Sequence, residues 1–409
     1  MLEWDRRTLL AGAGAAALVP AMAQAKGRLH RIFTGSYSWG PNEPKSGNFG
    51  PPDMVSEGIY SFPFDSRSGR AGPVELAAHT PNPANLILHP NRRILYAGSS
   101  RLPIEQGQHR LTAFAIEQGR LIEINHLPSG GGIPTQGAVS RSGRFMVTTN
   151  FDSDNIVSFS LRPDGGLQSL VSVIGKPIGA IPAKDSPPTA PGAIAGGARQ
   201  TGATDRLRPH MALLSPDERF AIATQMSTDS CVILRFDAQT GTLIPHGEAH
   251  DRHGSGPRHI AFAPDGRFLY SANEEGSTIT AWRWDARAGA LEAMQQLPTL
   301  PAGTNGANKP AHVAIHPSGR FAYVNNRGHG SIAIYGIDQT DGRLAPQGWT
   351  MLRSPVSWHF LIDPSGGWLI VANQSDSSTQ IFAIDPRSGA LSDSGQLLAT
   401  PCPTCLTLV

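Results

Sequence analysis

The stretch "GPRHIAFAPDGRFLYSANEEGSTITAWRW", from Gly256 to Trp284, contains three short runs in which apolar and polar residues alternate. A "PDGR" turn separates the first two runs, and a polar loop separates the second from the third. Alternation of this kind between turn signals is typical of antiparallel strands. The stretch therefore predicts three strands of one sheet, and a weaker fourth run follows the Gly-x-Leu turn at Gly289.

The same unit recurs along the chain at a spacing of about 50 residues, a period found in the blades of β-propellers. Four antiparallel strands in each repeat make one blade. Six complete copies are present, and they begin at Pro83, Pro134, Pro209, Pro257, Pro310 and Ser357. The repeat therefore indicates an all-β chain built as a propeller.

Two partial copies lie at the ends of the repeat array. "RIFTGSY" (residues 31–37) resembles a second strand whose first strand is missing, and "PTCLTLV" (residues 403–409) resembles a first strand with nothing after it. If the C-terminal segment completes the first blade, no open edge remains between the last blade and the first. We therefore predict a seven-bladed β-propeller over residues 28–409, with its ring closed by the C-terminal strand completing blade 1.

The first 25 residues form a separate element. Arg6 and Arg7 precede a mildly apolar run, and Ala23-Gln24-Ala25 follows it. This pattern is typical of a twin-arginine export signal that is cleaved after Ala25. The alternative, an N-terminal membrane anchor, needs about 20 strongly apolar residues. We therefore expect a periplasmic protein that engages the twin-arginine export machinery during transport and is not stably inserted in the membrane after cleavage.

Residues 176–208 form a proline- and alanine-rich insertion that leads directly into His210, before blade four. Loops between successive blades of a propeller lie on one rim of the ring. The insertion is therefore either a lid over that rim or a flexible linker.

The three cysteines allow more than one interpretation. Cys231 lies in the apolar run "CVILRF", where a buried thiol that packs as a small hydrophobe is the expectation. Cys402 and Cys405 form "CPTC", which fits a redox pair, half of a zinc site or a local disulfide. No second pair accompanies it, so the motif predicts no zinc site.

Charge excludes one class of partner. The chain has 34 Lys and Arg against 32 Asp and Glu, which gives a net charge of +2, and it contains no run of basic residues. Proteins that bind nucleic acid present a concentrated basic surface. We therefore expect no nucleic-acid partner.

Alignment of the copies on their "PDGR" turns places four charged or titratable residues at equivalent strand ends. His210 and Arg258 follow the first proline of blades four and five, whereas Glu274 and Arg327 end the second strands of blades five and six. A first strand begins where its antiparallel neighbour ends, so both sets lie on one rim near the channel. Most equivalent positions in other blades are Ala, Thr, Ser, Phe or Met. Charge in one sector predicts an off-axis functional site, with blade-to-blade ion pairing as the alternative.

Several segments carry a resemblance to a known family. "PRHIAFAPDGRFLYSANE" from Pro257, "HVAIHPSGRFAYVNNRGHGSIAIYGI" from His312 and the closing "PTCLTLV" resemble the seven-bladed lactonase group, which includes propeller-type 6-phosphogluconolactonases and carboxy-cis,cis-muconate cyclase. The resemblance implies a hydrolase that opens a sugar-acid lactone, either phosphorylated or not. It also implies a catalytic set of one His, two Arg and one Glu, which corresponds here to His210, Arg258, Glu274 and Arg327.

Lactone opening requires a base for water and fixed positive charge for the developing oxyanion. Arg258 and Arg327 suit the second task, because guanidinium is planar, permanently charged and bidentate. Two arginines beside Glu274 would lower its pKa, which favours His210 as the base and leaves Glu274 to orient a partner. A lactone-forming cyclase and a non-catalytic binding propeller remain the alternatives.

The rim residues predict no metal and no cofactor. Calcium binds six to eight oxygen ligands, usually from several carboxylates, and the aligned rim positions supply only Glu274. His259, His312 and His359 fall in one repeat column, where structural hydrogen bonding is more typical than metal ligation.

Overall fold

Seven antiparallel sheets form a closed ring around a central channel, which confirms the predicted all-β, seven-bladed propeller. The molecule is described by a computed structural model over residues 29–38, 55–99, 109–175, 206–304 and 306–409. The predicted export signal and residues 176–205 of the insertion lie outside these ranges. Within them, no helix has the length and the apolar character that a membrane crossing requires.

The strands are numbered in chain order and grouped by blade. Blade one contains β1 (Leu29–Ser36), β2 (Gly58–Asp65), β3 (Arg70–Ala71) and β4 (Glu75–His79). Blade two contains β5 (Pro83–Leu88), β6 (Ile94–Ser99), β7 (Arg110–Glu117) and β8 (Arg120–Pro128). Blade three contains β9 (Ala138–Val139), β10 (Phe145–Asn150), β11 (Asn155–Leu161) and β12 (Leu167–Gly175). Blade four contains β13 (Pro209–Leu214), β14 (Phe220–Gln225), β15 (Ser230–Phe236) and β16 (Leu243–His250).

The remaining strands complete the ring. Blade five contains β17 (Pro257–Phe262), β18 (Phe268–Asn273), β19 (Thr278–Asp285) and β20 (Ala290–Pro298). Blade six contains β21 (Lys309–Ile315), β22 (Phe321–Arg327), β23 (Ser331–Ile337) and β24 (Leu344–Met351). Blade seven contains β25 (Ser357–Ile362), β26 (Trp368–Asn373), β27 (Ser378–Ile384) and β28 (Leu391–Ala399). The last strand is β29 (Pro403–Leu408), and one 3₁₀ turn lies at Met226–Thr228.

The C-terminal strand closes the ring. β29 pairs antiparallel with β1, with Ile32 opposite Leu408 and Ser36 opposite Pro403. The sheet of blade one therefore runs from β29 at the channel through β1 to β2, which in turn pairs with both β3 and β4. The backbone groups of Arg31 and Val409 extend this ladder by two hydrogen bonds, of 3.0 and 2.9 Å. The first blade thus combines the two ends of the described chain, as the partial repeats predict.

The Gly-x-Leu turns allow close contact between blades. Gly389 of blade seven lies against Phe321 of blade six, and a Cβ atom at this position would be 2.7 Å from the Phe321 ring. Tyr323 Oη, on the same strand as Phe321, donates a hydrogen bond of 2.9 Å to the carbonyl oxygen of Gly389. At the closing junction, the glycine of a Gly-Arg-Ala turn, Gly69 of blade one, packs on Trp368 of blade seven in the same way. Each such glycine therefore serves the junction with the preceding blade, and its φ is also positive.

The innermost strand of every blade contains one extra residue near its start. In blade five, Pro257 is opposite Asn273 and His259 is opposite Ala272, so Arg258 has no partner of its own in the ladder. In the other six blades, the innermost strand likewise has one residue more than its partner strand over a short interval. These intervals are 83–85, 134–138, 209–212, 310–313, 357–359 and 403–405. A bulge of this kind redirects side chains that strict alternation would send to opposite faces. The position after the proline of the repeat is therefore a bulge position.

The cysteines are all buried and free. Burial raises the pKa of Cys402 to about 11 and that of Cys405 to about 12, so both are protonated thiols at neutral pH. The "CPTC" segment is thus neither a disulfide nor a pair of thiolates in this structure, and it belongs to the closing strand and its approach.

Removal of residues 403–409 should destabilise the whole protein. The deletion exposes the edge of β1 and removes the apolar contacts of Cys405 and Leu406, so we expect the free energy of unfolding to fall by several kcal/mol. Urea unfolding measures the change. The control is Leu397→Ser on the exposed outer strand β28, which should unfold like the wild type. A truncated protein with an unchanged unfolding midpoint would contradict the role of the closing strand.

Candidate functional site

Two arginines meet one carboxylate on the rim of the channel. Arg258 Nε lies 2.9 Å from Glu274 Oε2, and Arg327 Nη2 donates a hydrogen bond to the same oxygen. The side chains of Arg258 and Arg327 are 3% and 5% exposed, and that of Glu274 is 13% exposed. These three of the four predicted residues therefore form one ion-paired cluster, although they come from blades five and six.

The fold supplies each member from the end of a strand. Arg258 is the bulge residue of β17, Glu274 directly follows β18, and Arg327 is the last residue of β22. The backbone N–H of Glu274 donates to the carbonyl oxygen of Gly256 at 2.8 Å, which keeps the turn after β18 next to the start of β17. Arg327 Nε donates to the carbonyl oxygen of Lys309 at 3.0 Å. Backbone hydrogen bonds thus fix the direction of the side chains.

The arginines keep Glu274 ionised. Burial alone would raise the pKa of this carboxyl, but Arg327 and Arg258 outweigh burial and lower it to about 2. Burial and the neighbouring Arg327 lower the pKa of Arg258 to about 9, and the ion pair with Glu274 opposes that shift. Glu274 and Arg258 are therefore both charged at neutral pH, and the site holds two guanidinium groups for one carboxylate.

His210 lies beside the cluster but is not bonded to it. Its ring centroid is 5.1 Å from that of His259 and 5.7 Å from that of Phe151. His210 Nδ1 is buried and has no hydrogen-bond partner among the described residues. Burial, followed by the charge of Arg258, holds the pKa of His210 well below its usual value of 6.5. The imidazole is therefore neutral at pH 7.

Trp358 is a site residue that the repeat pattern does not predict. Its ring lies under both arginines, with the guanidinium carbons of Arg258 and Arg327 at 5.6 and 5.1 Å from the ring centroid. Such contacts between a cation and an aromatic face are attractive. Trp358 Nε1 is buried without a hydrogen-bond partner among the described residues. The available signal was its position, because Trp358 occupies the bulge of blade seven as Arg258 does in blade five.

A second layer of charge surrounds the mouth of the site. Lys309 Nζ lies 3.6 Å from Glu274 Oε1 and 3.5 Å from Glu275 Oε2. Arg208, at the described end of the insertion, forms a 3.1 Å ion pair with Glu275 and a 2.8 Å hydrogen bond with Ser227. The end of the insertion is thus attached to the rim that carries the cluster.

Comparison with known proteins agrees with this architecture. A model of the family described as "Lactonase, 7-bladed beta-propeller" matches residues 47–408. The chain belongs to this family. It is therefore an enzyme of the hydrolase class, within a group of lactone hydrolases. A 6-phosphogluconolactonase of Bacillus subtilis is 28% identical over 71% of the chain and 76% of its own length.

Solved structures show the same fold. A periplasmic gluconolactonase of Pseudomonas aeruginosa superposes with a TM-score of 0.78 and 24% identity, over 93% of this chain and 99% of that one. A putative 6-phosphogluconolactonase of Bacteroides fragilis superposes with a TM-score of 0.75 and 25% identity, over 93% of this chain and 98% of that one.

The described part of this lactonase contains no cluster of three or more His, Cys, Asp or Glu side chains arranged to hold a metal ion. Around Glu274 the neighbouring groups are cationic, namely Arg258, Arg327 and Lys309. Cations that crowd a carboxylate compete with a metal for its oxygens. The chemistry of this donor set therefore favours binding of an anion.

Glu274→Gln should destabilise the enzyme by about 3–5 kcal/mol at neutral pH, because it leaves two buried guanidinium groups without their counter-charge. The folded carboxyl stays ionised down to about pH 2, whereas the unfolded one takes up a proton near pH 4.5. Its stabilisation is therefore complete above pH 4.5 and is lost as the pH falls towards 2. Urea unfolding from pH 7 to pH 3 should show the difference between wild type and variant shrinking below pH 4.5.

The control is Glu275→Gln, the next residue, whose side chain is 35% exposed. Its loss of stability should be much smaller, because half-exposed ion pairs contribute little. Equal losses in the two variants would show that Glu274 has no special electrostatic role.

Proposed function

We propose that the enzyme hydrolyses the lactone of a sugar acid by direct attack of activated water, without a metal. The observation that carries the proposal is the excess of positive charge in the buried cluster, where two guanidinium groups share a single carboxylate oxygen. Such an arrangement is suited to an anion that forms during a reaction, because fixed charge at a dry site needs no reorganisation.

His210 is the proposed general base. Glu274 is a poor base because both arginines pair with its carboxylate and lower its pKa to about 2, whereas His210 is a neutral imidazole, which can accept a proton on one ring nitrogen. The imidazole takes a proton from water as the water oxygen bonds to the lactone carbonyl carbon. When the ring C–O bond breaks, the leaving alkoxide takes that proton from the imidazolium, and the product is the open hydroxy acid.

Arg258 and Arg327 are the proposed partners of the oxyanion. Arg258 Nη1 is occupied by the carbonyl oxygen of Ala311, at 2.6 Å, and its Nε faces Glu274. Its Nη2 has no partner among the described residues and is free to donate to a substrate oxygen. Glu274 holds the two guanidinium groups side by side against their mutual repulsion, and Trp358 supports them from below.

The proposed substrate is an unphosphorylated aldonolactone met in the periplasm. The predicted twin-arginine signal in residues 1–25 supports this location, because phosphorylated sugars belong to cytoplasmic metabolism. The relative from Bacillus subtilis is a 6-phosphogluconolactonase, so the phosphorylated lactone is the second substrate to assay. A pH-stat screen of gluconolactone, its 6-phosphate and muconolactone distinguishes these substrates, and turnover of muconolactone alone would favour the cyclase alternative.

Single replacement of His210, Arg258 or Arg327 by Gln should lower kcat for the best lactone by about a hundredfold or more, the usual scale for losing an acid-base group or an oxyanion donor. Losses should not add in the double variant Arg258→Gln/Arg327→Gln, since both residues act on one transition state. The pH-stat rate measures both effects. Arg353→Gln, an arginine with a 55% exposed side chain, is the control and should keep wild-type kcat. A near-normal rate in the Arg258 and Arg327 variants would identify them as structural ion pairs only.

Activity should survive prolonged treatment with EDTA, because the carboxylate at the site is saturated by cations and calcium needs several oxygen ligands. The measurement is the lactone hydrolysis rate before and after chelation and dialysis. Loss of turnover that calcium restores would refute the metal-free mechanism.

A further inference from the structure

Three histidines from successive blades form a continuous row next to Arg258. They are His259 on β17, His312 on β21 and His359 on β25. His259 Nδ1 lies 2.9 Å from His312 Nδ1, and the rings of His312 and His359 stack with centroids 4.0 Å apart. The nitrogen of His259 that faces away from His312, Nε2, lies 3.2 Å from Arg258 Nη1. The row therefore begins at a proposed catalytic residue.

The hydrogen bonds determine which nitrogen of each ring carries the proton. A guanidinium group can only donate, so His259 Nε2 must accept from Arg258 and cannot be protonated. The proton of a neutral His259 is then on Nδ1, which donates to His312 Nδ1. His312 consequently carries its proton on Nε2. At the far end, His359 Nδ1 accepts from the backbone N–H of Leu406, at 3.3 Å, so its proton is also on Nε2.

Every ring in the row must stay neutral for these bonds to exist. Burial, followed by the charge of Arg258, holds the pKa of His259 well below 6.5, and His210, His312 and His359 act in the same direction. Burial and His359 likewise hold the pKa of His312 well below its usual value, and burial lowers that of His359 to about 3. Burial and these four neighbouring residues therefore all oppose protonation of His259.

The row fixes the orientation of Arg258. Its Nη1 donates in two directions, to Ala311 O at 2.6 Å and to His259 Nε2 at 3.2 Å. With its Nε next to Glu274, the plane of the guanidinium group is set, and Nη2 is the nitrogen that remains for a substrate. His312 backs His259 and is itself held, because its backbone N–H donates to Asn325 Oδ1 at 2.6 Å.

We propose that His259 is a positioning residue, which aims Nη2 of Arg258 at the substrate and is kept in the required tautomer by His312. The catalytic consequence rests on the proposed lactonase function, whereas the tautomers do not. A metal between His259 and His312 is incompatible with this arrangement, because their facing nitrogens share one proton at 2.9 Å.

Two near-isosteric variants separate the two hydrogen bonds of His259. Gln places an amide oxygen near the position of Nε2, so His259→Gln keeps an acceptor for Arg258. Asn places its amide near the position of Nδ1, so His259→Asn keeps a donor for His312 and loses the acceptor for Arg258. We expect kcat of the Asn variant to fall between about tenfold and a hundredfold, with little change in KM, and His259→Gln to lose far less.

Stability is measured in parallel, by urea unfolding, because both variants replace a buried ring. The control is His316→Asn, a buried histidine whose ring nitrogens bond to Ser318 and Gly366 away from the site, and it should lose stability without loss of kcat. Equal losses of kcat in His259→Asn and His259→Gln would overturn the positioning role, since packing would then explain both.

Nitrogen-15 NMR of the imidazole rings in the wild-type protein tests the tautomers without any substrate. We expect neutral rings at pH 5, with Nδ1–H on His259 and Nε2–H on His312 and His359. An imidazolium signal or the opposite tautomer at His259 would overturn the proposal. If the wild type turned over none of the three lactones, the proposed function and the kinetic consequence drawn from it would both be wrong. The spectrum would still test the tautomers and hydrogen bonds of the histidine row.

Discussion

The pairing of β29 with β1 is the constraint on which the rest of the molecule depends. Among the described strands, the main contacts between blades join neighbours in the ring, so an unpaired end would leave the first and last blades free to separate. The charged cluster spans one junction between neighbouring blades, because Arg258 comes from blade five and Arg327 from blade six. The closing strand packs against blade seven, which carries Trp358 beneath both arginines, and against blade two on its other side.

The site illustrates how burial and charge balance each other. Burying two guanidinium groups costs free energy that one carboxylate only partly offsets, since both groups share the same carboxylate oxygen. The enzyme tolerates this imbalance in one sector of the rim. The other blades present small or uncharged residues at positions equivalent to the Arg258 bulge. An anionic transition state would supply a second negative charge to the two guanidinium groups. This charge pairing links the cluster to the proposed reaction.

Much of this arrangement could be predicted from the sequence. The repeat gives the strands of each blade, and the propeller geometry places their ends on one rim. The alignment of strand ends was sufficient to bring Arg258, Glu274 and Arg327 together, since strand ends in a propeller occupy equivalent places. It could not show that His210 contacts rings rather than the ion pairs, because that depends on side-chain rotamers. Trp358 was missed for a related reason: an aromatic residue in a charged column gives no sign of packing until the bulge directs it there.

The tautomers of the histidine row cannot be predicted from the sequence. A repeated histidine column predicts hydrogen bonding but not which ring donates, and only the approach of the Arg258 guanidinium to His259 resolves that ambiguity.

The innermost strand of each blade carries one bulge residue on the rim. The side chain of this residue stands outside the alternation that packs the sheets, so the bulge sets its direction. Three of these positions lie in sectors without the charged cluster and hold small side chains, namely Ala84, Thr135 and Thr404. A substitution at one of these positions would place a new functional group on another sector of the rim.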